Sequence, residues 1–445
     1  MASTSDSASF RNIARNIGLF GGAQGFTVLA ALIRAKAASV LIGPVGVGLS
    51  GLYSTIVNFY VALTGFGLST SGVLGITKAI ERGDMEQAAT ETRYLRLTCF
   101  WTMVLAWVAV FCSMLVMALV YHLEEATVAH ATALITLIWM RHSVSCELAI
   151  LKAYRHIKDL TLMTVISAVI SVICVVPFYY WFGVEGIIPA LVVSAFAEWC
   201  QTLYFSRRTA PLTRALFTSL FSPDRRVRIS LQQLWHRMRP IILVGVSTII
   251  SGLMASGVEL WSQSLIAAGG SVLLLGLYRA GYQLSITYPS MIFTSIGNDF
   301  YPRLAGSSSE RVVRNRLVTR QMVVTCLIVL PLTALFAWLM PWLLPLLFSH
   351  RFDGVLPMAL WACWNLPFKA LSLPMAYLPL ALGKWRDYLA IEVTCGLLMA
   401  LCITVGWHLM GLTGTGVGLL VFHVLELVIN YLFCHFRYGF RLKLA

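Results

Sequence analysis

Charge is scarce in this chain, and negative charge is scarcest. Nineteen Asp and Glu residues stand against 33 Lys and Arg, and the four types together make up 12% of 445 residues. A soluble domain usually carries about twice that fraction, so a water-facing surface over most of the chain is excluded. The ten cysteines include no CxxC pair. Cys112, Cys174, Cys326 and Cys402 fall in apolar stretches, where a lone thiol acts as a small hydrophobe, so neither disulfides nor a metal are expected. No nucleophile–base pair is legible, and no acidic pair is spaced to hold Mg²⁺ for a sugar-nucleotide donor. The expectation is a protein that is not an enzyme and carries no cofactor. Gly46, Gly48 and Gly51 match GxGxxG, but no strand precedes them, and a dinucleotide site needs a strand–turn–helix. The amino-terminal segment has no short apolar core ending in a small-residue cleavage site, so no removable signal peptide is read there.

What the chain has in abundance is apolar length: 58% of its residues are hydrophobic. A membrane-spanning helix needs about 20 mostly apolar residues. Twelve stretches qualify, near 17–40, 46–73, 95–121, 128–150, 160–181, 184–206, 239–263, 272–297, 317–343, 357–382, 388–408 and 414–436. Of the 33 cations, five fall inside these stretches, Arg351 falls on one side, and the other 27 fall on the opposite side. Lys and Arg resist translocation and stay cytoplasmic. The sequence therefore predicts an all-α polytopic membrane protein of twelve helices with both termini cytoplasmic. The net charge of +14 reflects this topology and contact with anionic headgroups, not nucleic-acid binding.

The longest inside loop, 207–238, is basic, contains Pro211 and Pro223, and is read as a cytoplasmic linker with an interfacial amphipathic helix. It separates an amino-terminal six-helix bundle, 1–206, from a carboxy-terminal one, 239–445. The halves look like copies. Gly51-Leu52-Tyr53 recurs as Gly276-Leu277-Tyr278, and at the same offset Arg34 falls on Glu259. Further along, with three residues inserted, Arg141 falls on Lys369, Asp159 on Asp387, Gly183 on Gly411, Gly186 on Gly414 and Glu198 on Glu426. Each half has an even number of spans, so the repeats run parallel, an arrangement found in transporters whose halves rock around a central cavity.

A cation at the centre of a bilayer helix costs roughly 2.5–3.5 kcal/mol on translocon scales. Arg34, Lys36, Arg141, Arg279 and Lys369 therefore need a wet cavity or an acidic partner. Read functionally, they line a cationic cavity for an anion: Arg donates two parallel bonds to phosphate and Lys adds a point charge. Read structurally, they pair with acids on neighbouring helices, as Arg34 could with Glu259. Arg141 and Lys369 are favoured for the site because they are mid-membrane and symmetry-related. Glu392, Glu259 and Glu147 are candidates for ion coupling; Glu392 has no acidic counterpart, since Thr164 stands at its repeat position. Glu198 and Glu426 read as structural locks within each half. Pro367, Pro374 and Pro379 cluster around Lys369 and would bend that span.

Arg34, Lys36 and the run Leu41 to Gly48, followed by Gly51-Leu52-Tyr53, resemble the opening of Wzx-type polysaccharide flippases of the multidrug/oligosaccharidyl-lipid/polysaccharide exporter superfamily. The stretch Gly276 to Ser285, and Asn298-Asp299-Phe300-Tyr301-Pro302-Arg303-Leu304, resemble that family's eighth span. The resemblance implies a flippase moving undecaprenyl-pyrophosphate-linked oligosaccharide, an O-antigen or capsular repeat unit, to the periplasmic leaflet of the bacterial inner membrane. It implies alternating access driven by an ion gradient, with H⁺ or Na⁺ left open. It carries the cation role to Arg34, Lys36, Arg141, Arg279 and Lys369. Its expected partners are the lipid-linked glycan, membrane lipids and polysaccharide polymerase machinery, and a monomer is expected because one chain holds both repeats. Sugar contacts would come from residues such as Tyr53, Asn58, Tyr60, Trp139, Tyr282, Gln283 and Trp364. The alternatives are a cation-coupled multidrug exporter of the same fold and a membrane polysaccharide polymerase or transferase. An exporter of cations would favour an acidic cavity, and a polymerase a large outside loop.

Overall fold

A computed structural model describes residues 25–65, 68–121, 125–154, 157–209, 231–306 and 310–442. Arg11, Arg15 and most of the 207–238 linker lie outside the described residues. All regular structure among the described residues is helical. In chain order these are α1 (25–41), α2 (Gly43–Thr64), α3 (Leu68–Glu81), α4 (Met85–Tyr121), α5 (Glu125–Ala153), α6 (Ile157–Phe182) and α7 (Ile187–Thr209). Then follow α8 (Leu231–Gly269), α9 (Val272–Tyr282), a π-helical turn (Gln283–Thr287), α10 (Tyr288–Gly306) and α11 (Arg311–Leu347). A 3-10 turn (His350–Val355), α12 (Leu356–Cys363), α13 (Asn365–Ala381) and α14 (Trp385–Tyr438) complete the chain. Among the described residues, six stretches are long and apolar enough to cross a membrane: Gly43–Thr64, Thr132–Ala153, Lys158–Phe182, Ile187–Arg208, Arg311–Leu347 and Trp385–Tyr438. The protein is a multi-pass membrane protein.

Three of the sequence-predicted spans are interrupted. The second breaks between α2 and α3 after Gly65. The eighth passes through the π-helical turn, where the Tyr288 N–H reaches back five residues to the Gln283 carbonyl. Pro289 follows directly and has no N–H to continue the ordinary ladder. The tenth is divided at Trp364 into α12 and α13. Interior prolines at 177, 331, 341, 345, 374 and 379 are carried inside helices, as membrane helices allow when neighbours satisfy the freed carbonyls.

The last two predicted spans form one continuous element, α14, folded back on itself at Gly411 (φ 59°, ψ −137°). Gly183, its repeat partner, also has positive φ, at 55°, a conformation that glycine adopts without steric cost. Three residues beyond each turn the same close approach recurs. A Cβ on Gly186 would collide with the Phe178 carbonyl, and one on Gly414 with the Gly406 carbonyl. The contact partners are thus offset by the same interval as the glycines. The two hairpins are built alike because both need a backbone without side chains at these points.

The described chain forms two compact units. One comprises residues 1–37 and 56–253; the other comprises 38–55 and 254–445. This differs from the division at the 207–238 linker. The reason is the glycine-lined face of α2: a Cβ at Gly48 would come within 2.8 Å of the Gly276 amide nitrogen on α9, and one at Gly51 within 2.8 Å of the Arg279 side chain. The start of α2 therefore packs with the second unit. Within that unit Phe300, Leu304, Val318, Met322, Met375, Leu378, Cys434 and Phe440 form an apolar core. In the first, Ile76, Leu95, Cys99, Cys146, Ile150 and Ala153 do so.

Candidate functional site

In the first unit, α5 runs between α4 and α7 and carries two charges that meet partners. Arg141 Nη1 lies 3.0 Å from Glu198 Oε2 on α7, with the side chains 42% and 23% exposed. Beside this pair, Trp199 Nε1 donates to Ser143 Oγ at 2.9 Å, and the Trp139 and Trp199 rings are 5.1 Å apart. Two turns along α5, Glu147 is buried and receives Arg96 Nη2 of α4 at 2.6 Å. The same guanidinium donates to Ser206 Oγ on α7 at 2.8 Å, and Ser206 in turn bonds Glu147. His142 is buried and shares a 2.9 Å hydrogen bond with Thr102 Oγ1. Arg34 and Lys36 lie on α1, exposed and half-buried respectively.

In the second unit, Glu259 on α8 accepts from Arg279 on α9 and from Thr55 Oγ1 and Gln263 Nε2, each of these two at 3.2 Å. Gln263 also donates to Thr55 at 2.9 Å. The absence of a side chain at Gly51 makes room for the Arg279 stem. Lys369 on α13 places its ammonium 5.6 Å from the centre of the Phe293 ring on α10. Glu426 and Glu392 of α14 both act on Lys369 electrostatically. Glu426 Oε2 is 2.7 Å from His423 Nδ1. One turn further, Asn430 Nδ2 donates to Ser372 Oγ at 2.7 Å.

These positions sort the sequence-derived residues. Arg141 and Glu198 are brought together; in the second unit Glu426 acts on Lys369 electrostatically, without an ion pair between them. Glu259 and Glu147, read as candidates for ion coupling, each hold an arginine. Glu259 takes Arg279. Sequence reasoning missed Arg96, which lies at the boundary of an apolar stretch and reads as a loop charge. It also missed His423, although its spacing of three residues from Glu426 on one helix puts both on one face. Among the described residues, no group of three His, Cys, Asp or Glu side chains could hold a metal ion.

A family model described as "Polysaccharide biosynthesis protein" matches residues 13–308. No curated protein matches the chain. Among solved structures, the inward-facing conformation of a multidrug resistance MATE family transporter of the MOP superfamily is similar, with TM-score 0.74 and 15% identity over 93% of this chain and 94% of that one. The outward-facing conformation of a MATE family transporter of the same superfamily gives TM-score 0.62 and 15% identity, covering 95% of each chain. A variant of the Vibrio cholerae MATE transporter VcmN gives 0.61 and 16% identity over 96% and 97%. At such identities the likeness concerns the fold alone. By the family match over two thirds of its length, this chain belongs to the polysaccharide biosynthesis protein family, and it has the helical fold of the MATE transporters.

Proposed function

We propose that the protein is a flippase that moves undecaprenyl-pyrophosphate-linked oligosaccharide from the cytoplasmic to the periplasmic leaflet of the bacterial inner membrane. It works by alternating access driven by an ion gradient, as a monomer, with its twelve spans forming two repeats. The family match carries this reading. The charges fit it. Each unit offers one mid-span cation, Arg141 or Lys369, close to an acid. Pairing lowers the cost of keeping these charges in the bilayer. At either cation a phosphate can take the place of the carboxylate: a guanidinium fork holds it by two bonds and an ammonium offers a point charge.

The test is transbilayer movement in proteoliposomes loaded with an undecaprenyl-pyrophosphate glycan. Wild type exposes the glycan at the outer leaflet. Arg141→Ala and Lys369→Ala, each still monodisperse, slow exposure by about tenfold or more, because each loses a charged hydrogen bond worth about 1.5–3 kcal/mol. Glycan movement no faster than in empty liposomes would overturn the reading. The likeness to multidrug transporters supports a second reading, export of organic cations. Uptake of a cationic dye in the same liposomes, with no movement of the glycan, would favour it.

A further inference from the structure

Two ion pairs join α5 to its neighbours in the first unit, and they are built differently. Arg96 and Glu147 are 14% and 10% exposed, and Ser206 bonds both. That pair is fixed in the packing. Arg141 and Glu198 meet by a single contact, Nη1 to Oε2 at 3.0 Å, with 42% and 23% of their side chains exposed. Among the described residues, no other side chain is bonded to either charge; the one further contact at Glu198 is Thr202 donating to its backbone carbonyl.

Arg141 lies midway along the span Thr132–Ala153. A charge exposed to hydrocarbon at that depth is costly, so such residues face a bundle interior or a water-filled space. The open side of this pair is therefore the side that a charged ligand reaches. The second unit differs. At the repeat position Lys369 lies over the Phe293 ring, 5.6 Å away, and Glu426, the acid that matches Glu198, holds His423. Of the two matched cations, Arg141 alone touches its acid.

We propose that Glu198 is a resident counter-anion for Arg141: it gives way to the substrate's pyrophosphate and reseats when the substrate leaves, so that the empty carrier can return. The proposal rests on the flippase reading. A guanidinium keeps its charge in proteins, and a desolvated charge without a partner is costly. Arg141 therefore needs an anion in both halves of the transport cycle. In the loaded carrier the pyrophosphate supplies it; in the empty carrier Glu198 does. One anion replaces another, no covalent bond is made or broken, and no proton moves. Affinity is lowered, because binding must displace the carboxylate. Release is helped, because the carboxylate competes for the guanidinium as the pyrophosphate departs. An inward ion gradient then drives the return leg, starting from the reseated pair.

The probe is undecaprenyl-pyrophosphoryl N-acetylglucosamine with a fluorophore on the sugar, read at the outer leaflet of proteoliposomes with a membrane-impermeant quencher. Net movement is followed with probe in the inner leaflet alone, under inward gradients of H⁺ and Na⁺. Exchange is followed with excess unlabelled probe in the outer leaflet, so that each return trip is made loaded. Glu198→Gln binds the probe about tenfold more tightly, because a neutral amide competes less for the guanidinium. Its ratio of net movement to exchange falls about tenfold, because the empty return leaves Arg141 without a charged partner. Glu198→Asp keeps the charge and stays near the wild-type ratio. The pair is partly solvated, so its loss costs the fold little and both variants remain monodisperse. A purely structural role would lower binding, net movement and exchange together. That outcome, a wild-type ratio in Glu198→Gln, or an equal fall in Glu198→Asp overturns the counter-anion and leaves the flippase reading standing. No movement of the probe by wild type in either mode overturns the flippase reading, and the counter-anion with it.

Discussion

Gly276→Val will yield no monodisperse protein from solubilised membranes, and Gly276→Ala will melt well below wild type. α2 and α9 cross with their backbones in contact: a Cβ at Gly276 would fall inside the Pro44 carbonyl, and one at Gly48 would meet the Val272 carbonyl oxygen at 2.8 Å. Neither neighbour is a flexible side chain that could rotate away, so the helices must separate. Small residues at membrane helix crossings exist to permit such approach. Overpacking a tight interface commonly costs about 1–3 kcal/mol, and a branched side chain driven into the Pro44 backbone carbonyl belongs at or above the top of that range. Gly252→Ala is the control. There the added methyl would find only the Ala62 Cβ, at 3.8 Å, ordinary van der Waals contact. It should be neutral, or stabilise by up to about 1 kcal/mol through helix propensity. Equal melting temperatures for Gly276→Val and wild type would sink this account of the crossing.

Glu147→Ala will be as damaging by a different route. It leaves the Arg96 guanidinium buried, 14% exposed, with Ser206 as its remaining bonded partner among those described. Removing one member of a buried ion pair costs about 3–5 kcal/mol, because the other charge stays desolvated. Replacing both members with apolar residues removes that penalty. The double variant Arg96→Leu, Glu147→Leu should therefore recover most of the melting temperature lost by Glu147→Ala. If the double variant is the less stable of the two, the pair contributes net attraction and not merely mutual compensation.

Much of this architecture was legible in the residues, because hydropathy is a local signal. Helices appear at the expected stretches among the described residues. Glycine spacing also carried over, since Gly183 and Gly411 turn alike. What could not be read was tertiary. The Glu259–Arg279 pair depends on Gly51 admitting the arginine stem, and no single-helix pattern states which helix will lie against it. The break of the tenth span at Trp364 and the π-helical turn before Pro289 interrupt stretches whose hydropathy is continuous. The membership of residues 38–55 in the second unit depends on a glycine face finding its complement more than 200 positions away. His423 was passed over because a lone histidine offers no periodicity; only its contact with Glu426 distinguishes it.

The fold at Gly411 bears on how the protein is made. Its two arms meet across only a handful of residues, with Gly406 and Gly418 approaching Gly414 and Cys402. Closing so short a loop costs little chain entropy, and contacts so local form early. The two arms can therefore enter the bilayer as a preformed hairpin during synthesis. Neither crossing then needs to search for a distant partner before it is shielded from lipid and water.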